Sequence, residues 1–292
     1  MTALFVVSTG RTGTQFLADL FDRLGARASH EPGPKWLRLV SNAHVAGRLS
    51  SERAARLVAR VRRNEVEQAG AAPWVESSCL IYGLVDPLLA SFPEAHVVQV
   101  VRDPRTYVRS AVGWGAYRVG GRPLNLIPFR RLAPPQFRPR SVRRRFEWAA
   151  EGQFERLCWA WAAMNRSMRE QGSGSARFSV VRYEDLFDPE RSGPTLRALC
   201  ALAGFEVDDA TLSRLAERRI NAGKKTPEIP DWSRWSPEER ARLVRDCADE
   251  ASRYGYDLER EVTTSPRPVM DDTIDLADPP PESRHWHASA VG

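Results

Sequence analysis

The N-terminal sequence FVVSTGRTGTQF, residues 5–16, has the composition of an anion-binding loop between a strand and a helix. Gly10 and Gly13 let the backbone approach a ligand closely, and successive amide groups at a helix start favour a multiply charged oxyanion. The loop carries Arg11 and lacks the Gly-Lys-Ser/Thr ending of ATP- and GTP-binding loops. We therefore expect a different anion in this loop.

A second anion site is predicted in VVRDPRTYVRS, which follows an apolar run rich in valine. Arg102 ends the predicted strand, Asp103 and Pro104 are typical of a helix start, and Ser110 lies about two turns into that helix. The side chains of Arg102 and Ser110 can therefore reach one phosphate near the end of the strand.

Strands alternate with helices along the chain. Strands are predicted in ALFVV, ARASHEP, PWVESS, AHVVQVVRD and RFSVVRYEDL. Helices are predicted from Gln15 to Gly25, in SSERAARLVARVRRNEVEQAG, in GLVDPLLASF, from Pro104, in SVRRRFEWAAEGQFERLCWAWAAMNRSMREQG, in GPTLRALCALAGFEVDD and from Pro237 to about Arg253. This alternation indicates one α/β domain with a central parallel sheet flanked by helices over residues 1–262, and a disordered tail over 263–292. Ligands of such sheets bind at the carboxyl ends of the strands.

The two anion motifs together resemble those of the sulfotransferase family, with RYEDL at 182–186 as a third point of likeness. The resemblance implies a P-loop NTPase-like sulfotransferase fold and 3′-phosphoadenosine 5′-phosphosulfate as donor. It implies that the loop binds the 5′-phosphosulfate, that the Arg and Ser bind the 3′-phosphate, that the Tyr lies beside the adenine, and that a basic loop near the C-terminus covers the 3′-phosphate. The implied donor-binding residues are Thr9, Gly10, Arg11, Thr12, Gly13, Thr14, Gln15, Arg102, Ser110, Tyr183, Lys224 and Lys225.

The resemblance also assigns catalytic roles. Arg11 replaces the lysine of the cytosolic branch and would stabilise the charge that develops on the bridging oxygen. The acceptor hydroxyl needs a base, for which Glu31 is the first candidate and His30 and Glu76 are rivals. Glu76 can equally form an ion pair with an arginine. Sulfuryl transfer of this kind needs no metal, and we expect none.

The charge of the chain is +6, and all but three of its 43 basic residues are arginine. Residues 104–146 contain no acidic residue, and the arginines there have three interpretations: a solvated lid, a surface for an anionic acceptor, or a nucleic-acid patch. Nucleic acid is the least favoured, because the aromatic residues of this region are sparse and follow no recognisable pattern. Irregular structure is expected over 32–50 and 113–139, where acceptor loops would lie.

The four cysteines form no Cys-x-x-Cys pair, which indicates reduced thiols. The sequence shows no basic, apolar leader and no apolar run of the roughly 20 residues that a membrane span needs, so we expect a cytoplasmic protein. The predicted function is sulfuryl transfer to a hydroxyl of a carbohydrate, glycolipid or natural product. The alternatives are a P-loop small-molecule kinase and a non-catalytic nucleotide- or nucleic-acid-binding protein. The oligomeric state stays open.

Overall fold

A five-stranded sheet forms the centre of the protein in a computed structural model, which describes residues 2–117, 151–216 and 230–259. The strands are β1 (Ala3–Ser8), β2 (Arg27–His30), β3 (Trp74–Ser78), β4 (Ala95–Val101) and β5 (Phe178–Arg182). Their order is β2-β3-β1-β4-β5, and each neighbouring pair is parallel. The predicted α/β class and parallel sheet are confirmed.

Helices connect and cover the strands. They are α1 (Thr14–Arg23), α2 (Leu37–Val45), α3 (Ser51–Gln68), α4 (Val85–Ser91), α5 (Pro104–Gly113), α6 (Gln153–Gly172), α7 (Ser192–Leu202), α8 (Asp209–Ala216) and α9 (Pro237–Ser252). Short 3₁₀ turns occupy Tyr183–Leu186 and Trp232–Arg234. The side chains of Ser50, Asp103 and Ser236 cap α3, α5 and α9 by accepting a backbone amide hydrogen bond.

Both faces of the sheet are buried, as the continuous apolar strands require. Phe5 and Val7 of β1 pack on one face with residues of α2, α3, α4 and α6. Leu4 and Val6 point to the other face, where they pack with residues of α1, α7 and α8. A third apolar cluster joins α5, α6 and α9 around the fully buried Trp161. The strand ends are therefore held between packed layers.

Three local predictions are wrong. Residues 32–50 are not all irregular, since α2 forms there and packs through Ser41 and Asn42, both buried. The helix predicted over 141–172 is not continuous, because α6 begins only at Gln153, after Gly152 in an extended conformation. The strand predicted in RFSVVRYEDL ends at Arg182, and the next four residues form a 3₁₀ turn.

Several predictions concern residues outside the described ranges. These are the basic loop with Lys224 and Lys225, the arginine-rich stretch from 118 onward, and the tail 263–292. No helix among the described residues is both long and apolar enough to cross a bilayer.

Candidate active site

The predicted site lies where the connections of the sheet reverse direction. The connection from β1 leads through α1 to β2 on one side, and the connection from β4 leads towards β5 on the other. A crevice forms at such a switch point outside the carboxyl ends of the two strands. The loop after β1 and the start of α5 after β4 both lie there, so the fold brings the two anion motifs together.

The loop after β1 has an unusual backbone. Gly10 and Gly13 have φ values of 85° and 76°, and Arg11 between them has a φ of 59°. A left-handed conformation costs a non-glycine residue about 1–2 kcal/mol, and such strain concentrates at functional sites. The amide of Gly10 is held by the Ser8 hydroxyl at 3.0 Å. The Ser8 hydroxyl therefore helps to fix the start of the loop.

The start of α1 offers donors for an anion. Gly13 occupies the N-cap position, no side chain caps the helix, and its first turn carries no acidic residue. Thr12 is fully buried, and within the part of the chain that the structure describes its hydroxyl makes no hydrogen bond. An unsatisfied buried hydroxyl costs about 1–3 kcal/mol, which an oxyanion ligand would offset. These residues fit the phosphosulfate end of the expected donor.

Arg102 connects the second motif to the first. Its Nη1 donates to the Arg11 carbonyl at 2.7 Å, and its Nε donates to the Thr106 hydroxyl at 2.9 Å. Arg11 Nε in turn donates to the Ser110 hydroxyl at 3.1 Å. Partial burial and the nearby charge of Arg102 lower the pKa of Arg11. Two guanidinium groups without a carboxylate between them favour a bound anion.

Tyr183 lies at the same place. The Arg102 guanidinium lies 4.3 Å from the centre of the Tyr183 ring. A Cβ atom at Gly13 would lie 3.4 Å from this ring and 3.5 Å from that of Phe187. These are ordinary contact distances, so the left-handed φ of 76° and not a lack of space favours glycine at position 13.

The junction between β4 and α5 is fixed by residues that the sequence did not reveal. Trp161 Nε1 donates to the Arg102 carbonyl at 2.8 Å. Glu184 accepts from the Asp103 amide at 3.0 Å and from the Tyr256 hydroxyl at 2.6 Å. Glu184 belongs to the RYEDL motif, so its place in that motif was the available signal. These contacts hold Arg102 at the strand end.

Glu31, the first candidate base, lies directly after β2 with a φ of 47°, again left-handed. Its side chain is 27% exposed, and its Oε1 accepts from the Cys79 thiol at 2.9 Å. Lys35 donates to the backbone carbonyl of Glu31 at 2.7 Å. Burial and the negative charge of Glu31 raise the pKa of Cys79 to about 12. The thiol therefore stays protonated and acts as a donor to the carboxylate.

Cys79 also lies beside the anion-binding loop. A Cβ atom at Gly10 would be 3.5 Å from Cys79 Sγ. Cys79 thus lies between Gly10 and Glu31, and it places the carboxylate near the loop. No sequence pattern pointed to this role, because the cysteine belongs to no spaced motif.

His30 lies next to Glu31 at the end of β2, and its Nε2 is 3.0 Å from the Thr14 hydroxyl. Burial lowers the pKa of His30, and the Glu31 carboxylate opposes this effect. The ring is therefore mostly neutral near pH 7 and links β2 to the start of α1.

Glu76 does not fit the role of base. It is 1% exposed, and Arg62 donates to both of its oxygens, with Nε at 2.5 Å and Nη2 at 3.0 Å. Glu76 therefore forms the ion pair with an arginine that was the alternative expectation for it. A carboxylate enclosed in this way cannot reach an acceptor, so Glu31 and His30 are the remaining candidates.

The described residues contain no group of three histidine, cysteine or acidic side chains that could hold a metal ion.

No protein-family model matches the chain, and no curated protein sequence matches it. Among solved structures, it is similar to the sulfotransferase domain from the curacin biosynthetic pathway, with a TM-score of 0.50 and 14% identity over 87% of this chain and 97% of that one. A second similar structure is the sulfotransferase domain of the Synechococcus PCC 7002 olefin synthase, with a TM-score of 0.48 and 16% identity over 88% of this chain and 95% of that one. The first likeness shows that the chain has the fold of a sulfotransferase domain, as the resemblance implied.

Proposed function

We propose that this protein transfers a sulfuryl group from 3′-phosphoadenosine 5′-phosphosulfate to an acceptor hydroxyl. The observation that supports this most is the joining of two anion motifs by Arg11, whose carbonyl accepts from Arg102 and whose guanidinium donates to Ser110. A donor with charged groups at two ends needs two adjacent cradles of this kind. The fold of a sulfotransferase domain supports the same activity.

The donor would be held by residues from three strand ends. The amides and hydroxyls of Thr9–Gln15 would bind the 5′-phosphosulfate, since Thr12 has a buried hydroxyl free to donate. Arg102 and Ser110 would bind the 3′-phosphate, and Tyr183 would lie beside the adenine. Lys224 and Lys225 are proposed to cover the 3′-phosphate. The donor supplies an activated sulfuryl group, and the protein supplies binding, orientation and charge.

Arg11 would act on the leaving group. Its Nε is held by Ser110, and both Nη groups make no hydrogen bond within the described ranges. These donors can bind the oxygen on which negative charge develops, and a donor fixed before the reaction stabilises that charge without reorganisation. The bond from Arg102 to the Arg11 carbonyl and the bond from Arg11 Nε to Ser110 keep the guanidinium in place.

Glu31 would take the proton of the acceptor hydroxyl. The Cys79 thiol occupies one of its oxygens and leaves the other for the acceptor, with the Lys35 ammonium 3.8 Å from it. His30 is the second candidate, as a neutral ring can also accept a proton. We propose a carbohydrate, glycolipid or natural product as acceptor, and the cytoplasm as the compartment.

One ligand comparison tests the donor. Adenosine 3′,5′-bisphosphate and ATP with magnesium are added separately, and thermal unfolding is followed. A ligand at about 100 times its dissociation constant stabilises the folded state by about 2.7 kcal/mol. We expect this stabilisation with the bisphosphate. If ATP with magnesium raises the unfolding temperature and the bisphosphate does not, the result would favour the small-molecule kinase and contradict the proposal.

A further inference from the structure

Arg38 is partly removed from solvent and lacks the polar partners that most such arginines have among the described residues. Arg182 is a comparable case, but its guanidinium lies 4.7 Å from the centre of the Tyr256 ring. It lies in the first turn of α2, is half-buried, and its guanidinium makes no hydrogen bond or ion pair within the described ranges. Other arginines of the core have protein partners: Arg62 has Glu76, Arg105 has Asp103, and Arg177 has three backbone carbonyls. A guanidinium carries five N–H donors, so a half-buried one without acceptors is costly.

The surroundings of Arg38 place it beside the candidate base. Glu31, Cys79, Tyr82 and Tyr117 are near enough to affect the charge of its guanidinium. Burial lowers the pKa of Arg38, but its neighbours outweigh this effect and raise the pKa, so Arg38 stays charged. Among these neighbours Glu31 is the one carboxylate, since the Cys79 thiol stays protonated. Glu31 is nevertheless no ion-pair partner, because its Oε1 accepts from Cys79 and no N···O contact with Arg38 falls within 4.0 Å.

The position of α2 is fixed by contacts on the same side of the helix. Asn42, one turn after Arg38, accepts from the Tyr82 hydroxyl at 2.6 Å, and the Ser41 hydroxyl accepts from the Gly83 amide at 2.8 Å. A Cβ atom at Gly83 would lie 2.3 Å from Val45, so the helix is in close contact with this loop. These contacts fix the part of α2 that carries Arg38. Lys35, two residues before the helix, donates to the Glu31 carbonyl at 2.7 Å, so the start of α2 lies beside Glu31.

The sequence that follows Tyr117 is basic. Its residues 118–146 contain arginines and no aspartate or glutamate. An oxyanion that entered here would satisfy a planar guanidinium with two parallel hydrogen bonds.

We propose that Arg38 binds an anionic group of the acceptor, a carboxylate or a phosphate ester, close to the hydroxyl that Glu31 deprotonates. This proposal rests on the proposed function and deepens it by naming the acceptor class: a hydroxyl compound that already carries an oxyanion. Neighbouring residues connect the donor loop to this subsite in the order Gly10, Cys79, Glu31 and Arg38. The subsite selects acceptors by charge, and the base then acts on the nearest hydroxyl.

Calorimetric titration tests the subsite with three small probes of similar shape. Benzoate, phenyl phosphate and the neutral benzamide are titrated into protein saturated with adenosine 3′,5′-bisphosphate. We expect at least one anion to bind the unsubstituted protein about tenfold more tightly than benzamide, and Arg38→Gln to lose this preference. Tighter binding of benzoate would indicate an acceptor with a carboxylate, and tighter binding of phenyl phosphate would indicate an acceptor with a phosphate ester.

Two further variants serve as controls. Arg60→Gln, at an exposed arginine of α3, should keep the preference, and Arg38→Lys should keep part of it. The proposal is overturned if the unsubstituted protein shows no preference for either anion, or if Arg38→Gln retains it. The same probes are also titrated without bisphosphate into the unsubstituted protein and into Arg38→Gln. A difference between the two proteins that is seen without bisphosphate belongs to the subsite, so a failure of donor binding is distinguishable from a failure of the subsite.

Discussion

Arg62 and Arg38, which lie near the turn after β2, differ in whether a protein group neutralises their charge. Arg62 of α3 donates to the Glu76 carboxylate and to the carbonyls of Pro32 and Gly33. Arg38 of α2 lies near Glu31, the preceding residue of the same turn, without a hydrogen bond. Within the described ranges, the charge of Arg62 is compensated by a carboxylate and that of Arg38 has no hydrogen-bond or ion-pair partner. The compensated charge holds the fold, and we propose that the other binds a ligand.

The largest expected effect comes from breaking the compensated pair. Arg62→Met would leave the Glu76 carboxylate buried without a partner, which costs about 3–5 kcal/mol of the free energy of unfolding. Urea unfolding measures this loss. The double variant Arg62→Met with Glu76→Leu should recover most of it, because no unpaired charge is left. A single variant as stable as the unsubstituted protein would show that Arg62 does not compensate Glu76.

Arg11→Ala should affect catalysis and leave the fold intact. Losing a donor to the developing charge costs about 3 kcal/mol, or roughly a hundredfold in turnover. Formation of adenosine 3′,5′-bisphosphate from the donor reports the rate, and circular dichroism reports the fold. Arg60→Ala is the matched control, at an exposed arginine far along α3. Undiminished turnover would remove Arg11 from the mechanism.

Arg102→Gln should weaken bisphosphate binding about tenfold or more, since a hydrogen bond to a charged group contributes about 1.5–3 kcal/mol. Calorimetric titration measures the dissociation constant. The urea midpoint should change little, because the strand end is also held by the bond from Trp161 to the carbonyl of residue 102, which the substitution keeps. Unchanged affinity together with lost stability would make Arg102 a structural residue only.

The smallest effect concerns a compensated pair near the surface. The hydrogen bond to Asp86 raises the pKa of His44. Burial raises the pKa of Asp86, but hydrogen bonds from His44 and from the Ser51 hydroxyl outweigh it and lower the pKa. The stability from His44 is thus fully present below its unfolded pKa of about 6.5 and is lost as pH rises through the folded value. The Asp86 contribution is present above its unfolded pKa and is lost as pH falls through the folded value.

Asp86→Asn tests this pair. Solvent screening limits the pair to about 0.5–1 kcal/mol, because both side chains are partly exposed. The substitution should cost this much near pH 6 and less near pH 9, where the ring is neutral. Urea unfolding at the two values measures the difference. An equal cost at both would mean that the charge of His44 contributes nothing.

The sheet could be predicted because its signals are local. The run AHVVQVV has apolar residues on both faces, as a central parallel strand must, and Asp103-Pro104 marks a helix start by its own chemistry. The anion motifs were also visible, since glycine and arginine at short spacing carry the pattern. The structure confirms the fold and brings these motifs together.

The rest depends on contacts between distant residues. Helix α2 follows a Pro-Gly-Pro sequence and is fixed by its contacts with Tyr82 and Gly83, some forty residues later. The partner of Glu76 could not be chosen among so many arginines, and Cys79 meets Glu31 across 48 residues. Helical periodicity and spacing describe neighbours in sequence, so these pairs required the structure.

The left-handed backbones of Arg11 and Glu31 imply a trade-off between durability and activity. Glycine at either position would adopt the same conformation without steric penalty, yet it would remove the guanidinium or the carboxylate. A chain selected only for a high melting temperature would therefore tend to lose both side chains first. Side chains kept in a conformation that disfavours them are what the proposed roles of Arg11 and Glu31 predict.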